Sequence, residues 1–250
     1  MAWTAAPLRA AVHARLVAAS GKRNPLARNG VQVAAMKRSL LLAAVSAALL
    51  LPATASAEVA ELGALPAGAT GSCPQGPCQA LTRATAYQAK VGPDRGLYRA
   101  PADGRIVAWN VALGEPGAQQ RRDFDEAFGR PQAAIVVLRP GERLVHRVVH
   151  KGPMTDLRPW LGRSVRFPLE RTLPVREGDW IALTVPTWAP VLQVGQPGTS
   201  SWRGSRPEGR CADVTTQRAM LGRRRTASFR CLYRTARLTY SATFVPDPED

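Results

Sequence analysis

The stretch that decides the fold is Leu232-Tyr-Arg-Thr-Ala-Arg-Leu-Thr-Tyr-Ser-Ala-Thr-Phe-Val245. Leu238, Tyr240, Ala242 and Phe244 alternate with Arg237, Thr239, Ser241 and Thr243. A two-residue period sends successive side chains to opposite faces, so this stretch predicts a β-strand with one face on a core. The same pattern recurs upstream. Thr85 to Val91 alternates, and Arg105 to Leu113 sets Val107, Trp109, Val111 and Leu113 on one face, after the turn Ala102-Asp103-Gly104. Ala133 to Leu138 is a continuous apolar run, as expected of a strand covered on both faces. Pro140-Gly141 then turns the chain toward Arg143 to His150, predicting a hairpin. Val165 to Leu169 and Arg171 to Val175, Trp180 to Val185 after the turn Glu177-Gly178-Asp179, and Val191 to Val194 complete the strand set. The one helical signal is Asp123 to Phe128, with Phe124 and Phe128 four apart and Gly129-Arg130-Pro131 ending it. About eight to ten strands with at most one short helix predict an all-β fold: an antiparallel, jelly-roll-like β-sandwich.

Charge divides the chain. It holds 34 Lys+Arg against 18 Asp+Glu, a net charge of +16. Hydrophobic residues make up 45%, enough for a core and too many for a disordered polycation. Seven of the basic residues, and no acidic one, fall in residues 1–57. From Met36 the chain reads as a secretory signal. Lys37 and Arg38 form the charged start, Leu40 to Leu51 the apolar segment, and Ala55-Ser56-Ala57 the cleavage site. The apolar segment is shorter than the ~20 residues that span a bilayer. Residues 36–57 are therefore expected to be a signal peptide cleaved near Ala57. Residues 1–35 read as a mis-assigned start or a disordered leader, 58–72 as a flexible Gly/Ala/Pro-rich leader, and 73–250 as a single β-sandwich domain without a transmembrane helix. Beyond residue 57 the basic residues are almost all Arg, with Lys90 and Lys151 the exceptions. A high-GC genome produces that skew, so it is weak ground for a nucleic-acid partner.

Cysteine usage fits an oxidising compartment. Cys73, Cys78, Cys211 and Cys231 allow three pairings. Cys73 with Cys78, and Cys211 with Cys231, are the expected disulfides: one closes a tight Cys-Pro-Gln-Gly-Pro-Cys turn, the other staples a basic loop to the last strand. A four-cysteine zinc site is the rival, but the wide gap between Cys211 and Cys231 does not make the usual zinc knuckle.

Three stretches carry a resemblance: Gly96-Leu-Tyr-Arg-Ala-Pro-Ala-Asp-Gly-Arg-Ile-Val-Ala-Trp109, Leu173-Pro-Val-Arg-Glu-Gly-Asp-Trp-Ile-Ala-Leu183 and Cys231-Leu-Tyr-Arg-Thr-Ala-Arg-Leu-Thr-Tyr240. Together they resemble exported, jelly-roll-like β-sandwich proteins of unassigned function from high-GC Gram-positive bacteria. The first two are also similar to strand–turn–strand segments of secreted jelly-roll domains, some of which bind carbohydrate. The resemblance implies architecture and brings no catalytic residue.

Catalytic and cofactor patterns are scarce. Gly-x-Ser-x-Gly, the phosphate-binding loop and the dinucleotide fingerprint are absent. His146 and His150 lack the Glu of a zinc-protease helix and read as edge-strand residues. Asp123, Asp125 and Glu126 lack the glycine and terminal glutamate of a calcium loop and read as a solvated patch. No metal and no cofactor is expected. The aromatics carry the functional expectation. Trp109 and Trp180 fall in strands and read as core. Trp188, between prolines, and Trp202, with Arg203 beside it, sit in turn-like surroundings and are the candidates for an exposed sugar-binding platform. Arg218, Arg223, Arg224 and Arg225 form a basic patch that suits anionic polymers. The expected function is a secreted or cell-envelope-associated, non-catalytic binding module for saccharide or anionic polymer, with cell-wall glycan or an anionic envelope polymer as the expected partner. A structural envelope protein without a small ligand is the alternative, and a glycan hydrolase or lyase the second alternative. No specific nucleic-acid partner is expected.

Overall fold

The structure, a computed structural model, describes residues 58–214 and 216–248. The expected leader (1–35), signal peptide (36–57) and cleavage near Ala57 lie outside the described residues. No helix among the described residues is long and apolar enough to cross a membrane.

The described residues form an antiparallel β-sandwich of fifteen strand segments and one α-helix. The strands are β1 (Ala60–Leu62), β2 (Leu81–Val91), β3 (Asp94–Arg95), β4 (Gly104–Ala112), β5 (Gln132–Pro140), β6 (Val145–Lys151), β7 (Thr155–Asp156) and β8 (Ser164–Val175). There follow β9 (Trp180–Ala189), β10 (Leu192–Val194), β11 (Ser201–Gly204), β12 (Thr226–Ser228), β13 (Cys231–Arg234), β14 (Ala236–Leu238) and β15 (Tyr240–Pro246). Helix α1 (Ala118–Phe128) joins β4 to β5. One sheet has the order β1-β15-β4-β8. The larger has the order β12-β6-β5-β9-β2-β11-β13, with β3 on β2 and β7 on β5, and β10 pairs with β14. The chain passes repeatedly between the sheets, from β4 to β5 and from β8 to β9, as a jelly-roll-like sandwich requires.

The larger sheet is buried on both faces. Its inner face packs Ile135, Val137, Ile181, Leu183 and Val185 against Ile106, Trp109, Tyr240, Ala242 and Phe244 of the smaller sheet. Its outer face carries a second cluster: Tyr87, Val136, Leu138, Val148 and Ala182 under Met220 and Phe229. Residues Ala133 to Leu138 are accordingly all inaccessible. This is why β5 reads as a continuous apolar run rather than an alternating one. The expected β5–β6 hairpin forms, with Arg139 opposite Arg147.

Five expectations need correction. The stretch 58–72 is not a free leader: Ala60, Glu61 and Leu62 pair with Phe244, Thr243 and Ala242. Glu61 accepts hydrogen bonds from Asn110, Ser241 and Thr243, which anchors the short strand. The final run is three strands, not one. Thr235, at φ 59°, and a further break after Leu238 divide it, so that β13, β14 and β15 pair with β11, β10 and β4. In β4 a bulge between Ile106 and Ala108 shifts the alternation. Ile106 therefore faces the core in place of Val107, ahead of Trp109 and Val111. The segments around Pro168 and Pro174 form the single edge strand β8, bulged where Pro168 meets Ala108. An edge strand tolerates the missing proline N–H. Helix α1 is also longer than Asp123 to Phe128. The Gln120 side chain accepts the Gly117 N–H at 2.7 Å and begins it early, and Gly129 at φ 87° ends it.

Both expected disulfides are present, Cys73–Cys78 and Cys211–Cys231. The second ties the segment that covers the outer cluster to β13.

Candidate ligand-binding site

The tryptophans chosen from sequence are structural. Trp188 is inaccessible. Its Nε1–H donates to the Gly129 carbonyl at 2.7 Å and to Asp125 Oδ1 at 3.2 Å, and its ring stacks on Phe124 at 4.9 Å. Trp188 thus fastens α1 to the sheet. Trp202 is 4% exposed and stacks on Tyr233 at 3.9 Å, its cross-strand partner. Flanking prolines and glycines suggested open loops, but both residues lie in paired strands whose outward surface is covered. Trp188 and Trp202 therefore form no exposed platform. Asp125 is likewise occupied, paired with Arg158 at 2.6 Å as well as Trp188. Among the described residues no group of three or more metal-ligating side chains gathers.

Trp180 reverses its expected role. It is only half-buried and lies on the outer face of β9, stacked on Tyr87 at 4.4 Å, with the Arg99 guanidinium 5.6 Å from its ring centroid. Alternation along Trp180-Ile-Ala-Leu183 places Trp180 and Ala182 opposite Ile181 and Leu183, a signal available in the sequence. Its weight was hidden because a strand buried on both faces makes both sides look like core. Arg203, chosen for its neighbour Trp202, is in fact the cross-strand partner of Tyr87. Tyr87, Trp180, Leu144, Arg95, Arg99 and Arg203 line a shallow cleft of about 350 Å³.

Beneath the cleft Tyr87 is fixed. Its hydroxyl is 3.0 Å from His146 Nε2, and its ring also meets Phe229. Burial raises the Tyr87 hydroxyl to about 12, with Arg203 pulling the other way. Burial lowers the His146 imidazole to about 4; the Val145 backbone opposes this and Arg203 adds to it. At neutral pH this pair is a neutral, buried contact. His146, read as an edge residue, is a core histidine.

A second, larger concavity of about 710 Å³ lies beside the first and is lined by Arg139, Arg143, Arg147 and Arg230, with Glu142, Val145 and Thr226. Arg139 is engaged by buried Asp179 through two hydrogen bonds of 3.1 and 2.9 Å. Arg230 meets Glu208. Arg143 and Arg147 make no side-chain hydrogen bond or ion pair among the described residues. The turn between the two concavities is strained: Arg143 and Leu144 have φ of 51° and 63°, in the left-handed region. Such positions cost on the order of 1–3 kcal/mol each and persist only where the surroundings enforce them. Here Gly141 N–H donates to the Val145 carbonyl and Phe229 N–H to the Leu144 carbonyl, at 2.9 and 2.8 Å.

The expected basic patch is exposed and adjoins this groove. Arg223, Arg224 and Arg225 run along β6: the Arg224 N–H donates to the Val148 carbonyl, the Val148 N–H to the Arg225 carbonyl, and the Arg223 side chain to the Val149 carbonyl. Burial, then Arg223 and Arg139, lower the His150 pKa, so positive charge from both sides converges at that histidine. Arg218 is exposed on the preceding loop.

No family model matches the chain, and no curated protein or solved structure matches it.

Proposed function

We propose that this protein is a secreted or envelope-associated, non-catalytic binding module, and that it holds an anionic envelope polymer in the groove lined by Arg139, Arg143, Arg147 and Arg230. One observation carries the reading: four guanidinium groups share one open groove with a single carboxylate, and two of the four make no side-chain hydrogen bond or ion pair among the described residues. Unpaired arginines at an exposed concavity are disposed to bind phosphate or carboxylate groups. Arg223 to Arg225 extend the positive field along the same edge. Two disulfides accord with a location outside the cytoplasm, as do the expected signal peptide and the resemblance to exported β-sandwich proteins.

The test is binding of immobilised polyphosphate and of a polyuronate, with a neutral glucan as control. The Arg143→Ala/Arg147→Ala double variant is expected to lose about ten-fold in affinity, equivalent to ~1.4 kcal/mol, and to show a weaker dependence on salt. Failure of the unaltered protein to bind either polymer at low salt rejects the proposal. So does a double variant that binds as well as its parent.

A further inference from the structure

The groove and the Trp180 cleft are joined at three places. Arg143 lines the groove and Leu144, the next residue, lines the cleft. Asp179, which holds Arg139 in the groove wall, precedes Trp180 in the chain. Arg203 in the cleft donates to the carbonyl of Arg230, which lines the groove. A chain-like ligand lying in the groove therefore has the cleft as its neighbouring seat.

The cleft has a chemistry that the groove lacks. The groove offers guanidinium groups; the cleft adds an aromatic surface. Trp180 is partly buried, stacked on Tyr87, which is itself pinned by His146, and the exposed Arg99 guanidinium lies over its ring at 5.6 Å. The platform is thus set before any ligand arrives, which lowers the ordering cost of binding. Arg95, Arg99 and Arg203 surround it, and no carboxylate lines the cleft. Arg95 makes no side-chain hydrogen bond or ion pair among the described residues. Among the described residues the Arg99 side chain donates only to the Gly178 carbonyl, at 3.3 Å. Arg203 spends Nη1 on the carbonyls of Phe229 and Arg230. The volume is at the lower end of small-ligand sites, roughly 300–1,000 Å³, which suits one ring better than several. A polyphosphate chain has no use for the indole, and a neutral sugar has no use for three cations. A sugar ring bearing a carboxylate uses both.

We propose that the cleft seats one uronate ring of an acidic polysaccharide, its apolar face on Trp180 and its carboxylate among Arg95, Arg99 and Arg203. The chain then continues past the Glu142–Leu144 turn into the arginine groove. This rests on the anionic-polymer reading above and narrows it to a carboxylated glycan.

The experiment compares polygalacturonate with polyphosphate of matched charge by titration calorimetry on the purified, disulfide-bonded protein. Tighter binding of the uronate is expected. Trp180→Ala should cut the uronate-over-polyphosphate preference about ten-fold, and Trp180→Phe should restore most of it. A melting curve checks folding, and if Trp180→Ala fails to fold, the exposed Arg95→Gln must lower the same preference. Polyphosphate binding as tightly as the uronate, or a preference unchanged by these variants, overturns the uronate seat and leaves the groove reading standing. Binding of neither polymer by the unaltered protein overturns both.

Discussion

His146 shows how a single residue ties site to stability. It lies 2% exposed between Tyr87 and Phe229, its Nδ1 without a hydrogen-bond partner among the described residues. Burial holds its pKa at about 4 in the folded chain, against ~6.5 when unfolded. Between those values the unfolded chain binds a proton that the folded chain refuses. Stability is therefore full above the unfolded pKa and falls as pH drops from about 6.5 toward 4. The loss from this group is on the order of 2 kcal/mol. His146→Gln, which keeps a polar partner for Tyr87 without titrating there, is expected to flatten that part of the stability curve. Denaturant midpoints at pH 7 and pH 4.5 measure it, and an unchanged slope would show that the acid sensitivity arises elsewhere.

At the scale of elements, β1 is the informative case. Three residues make a poor strand alone, yet much is built on this one. Leu62 is buried, and Glu61 gathers Asn110, Ser241 and Thr243. The carbonyl of Gly63 accepts from Tyr98 and that of Ala64 from the buried Arg237 side chain. Removing residues up to 65 would take away the partners of the Arg237 side chain and the Thr243 hydroxyl, at about 1–3 kcal/mol each where water cannot replace the partner, while the Tyr98 hydroxyl would keep the Tyr240 carbonyl and Asn110 would keep Ser241. A chain beginning at residue 66 is expected to unfold at distinctly lower denaturant concentration than one beginning at residue 58. Equal midpoints would mean that water satisfies Arg237 and Thr243 instead.

For the molecule as a whole, the outer face of the larger sheet depends on a cover with little regular structure of its own. The segment from about 205 to 230 supplies Met220 and Phe229 to the outer cluster. Its polar anchors lie at its two ends and at Met220: the Ser205 N–H donates to the Thr85 carbonyl, the Thr85 hydroxyl accepts the Met220 N–H at 3.0 Å, the Arg206 side chain donates to the Thr82 carbonyl at 3.0 Å, and residues 224–228 pair along β6. Cys211–Cys231 closes a loop with a sequence separation of 20, and Cys73–Cys78 one of 5. In the chain-entropy account these contribute about 3 and about 2 kcal/mol. Replacing the first pair by Ser should cost more stability than replacing the second. It should also expose outer-face amides to hydrogen exchange, since of the two disulfides Cys211–Cys231 is the one that ties the cover to β13. Exchange changes confined to the Cys73–Cys78 turn would refute this.

The sequence alone determined the β class, the turns at Ala102-Asp103-Gly104 and Glu177-Gly178-Asp179, the β5–β6 hairpin and both cysteine pairs. These follow from neighbours in the chain: two-residue alternation, turn chemistry and loop length are local quantities. It also located the basic edge at Arg223 to Arg225, because charge is read directly from composition. Tertiary structure alone decided which tryptophan faces solvent. Trp188 and Trp202 sit among turn-forming residues, yet α1 and Tyr233 cover them. Trp180 sits in a strand with apolar neighbours on both sides, yet its outer face opens on a cleft. Exposure depends on what a distant segment covers, and on bulges that shift a strand's alternation as at Ile106 to Ala108. The meeting of Arg139, Arg143, Arg147 and Arg230 is of the same kind, since sheet pairing and the fold-back of residues 222–230 along β6 bring separate stretches to one groove.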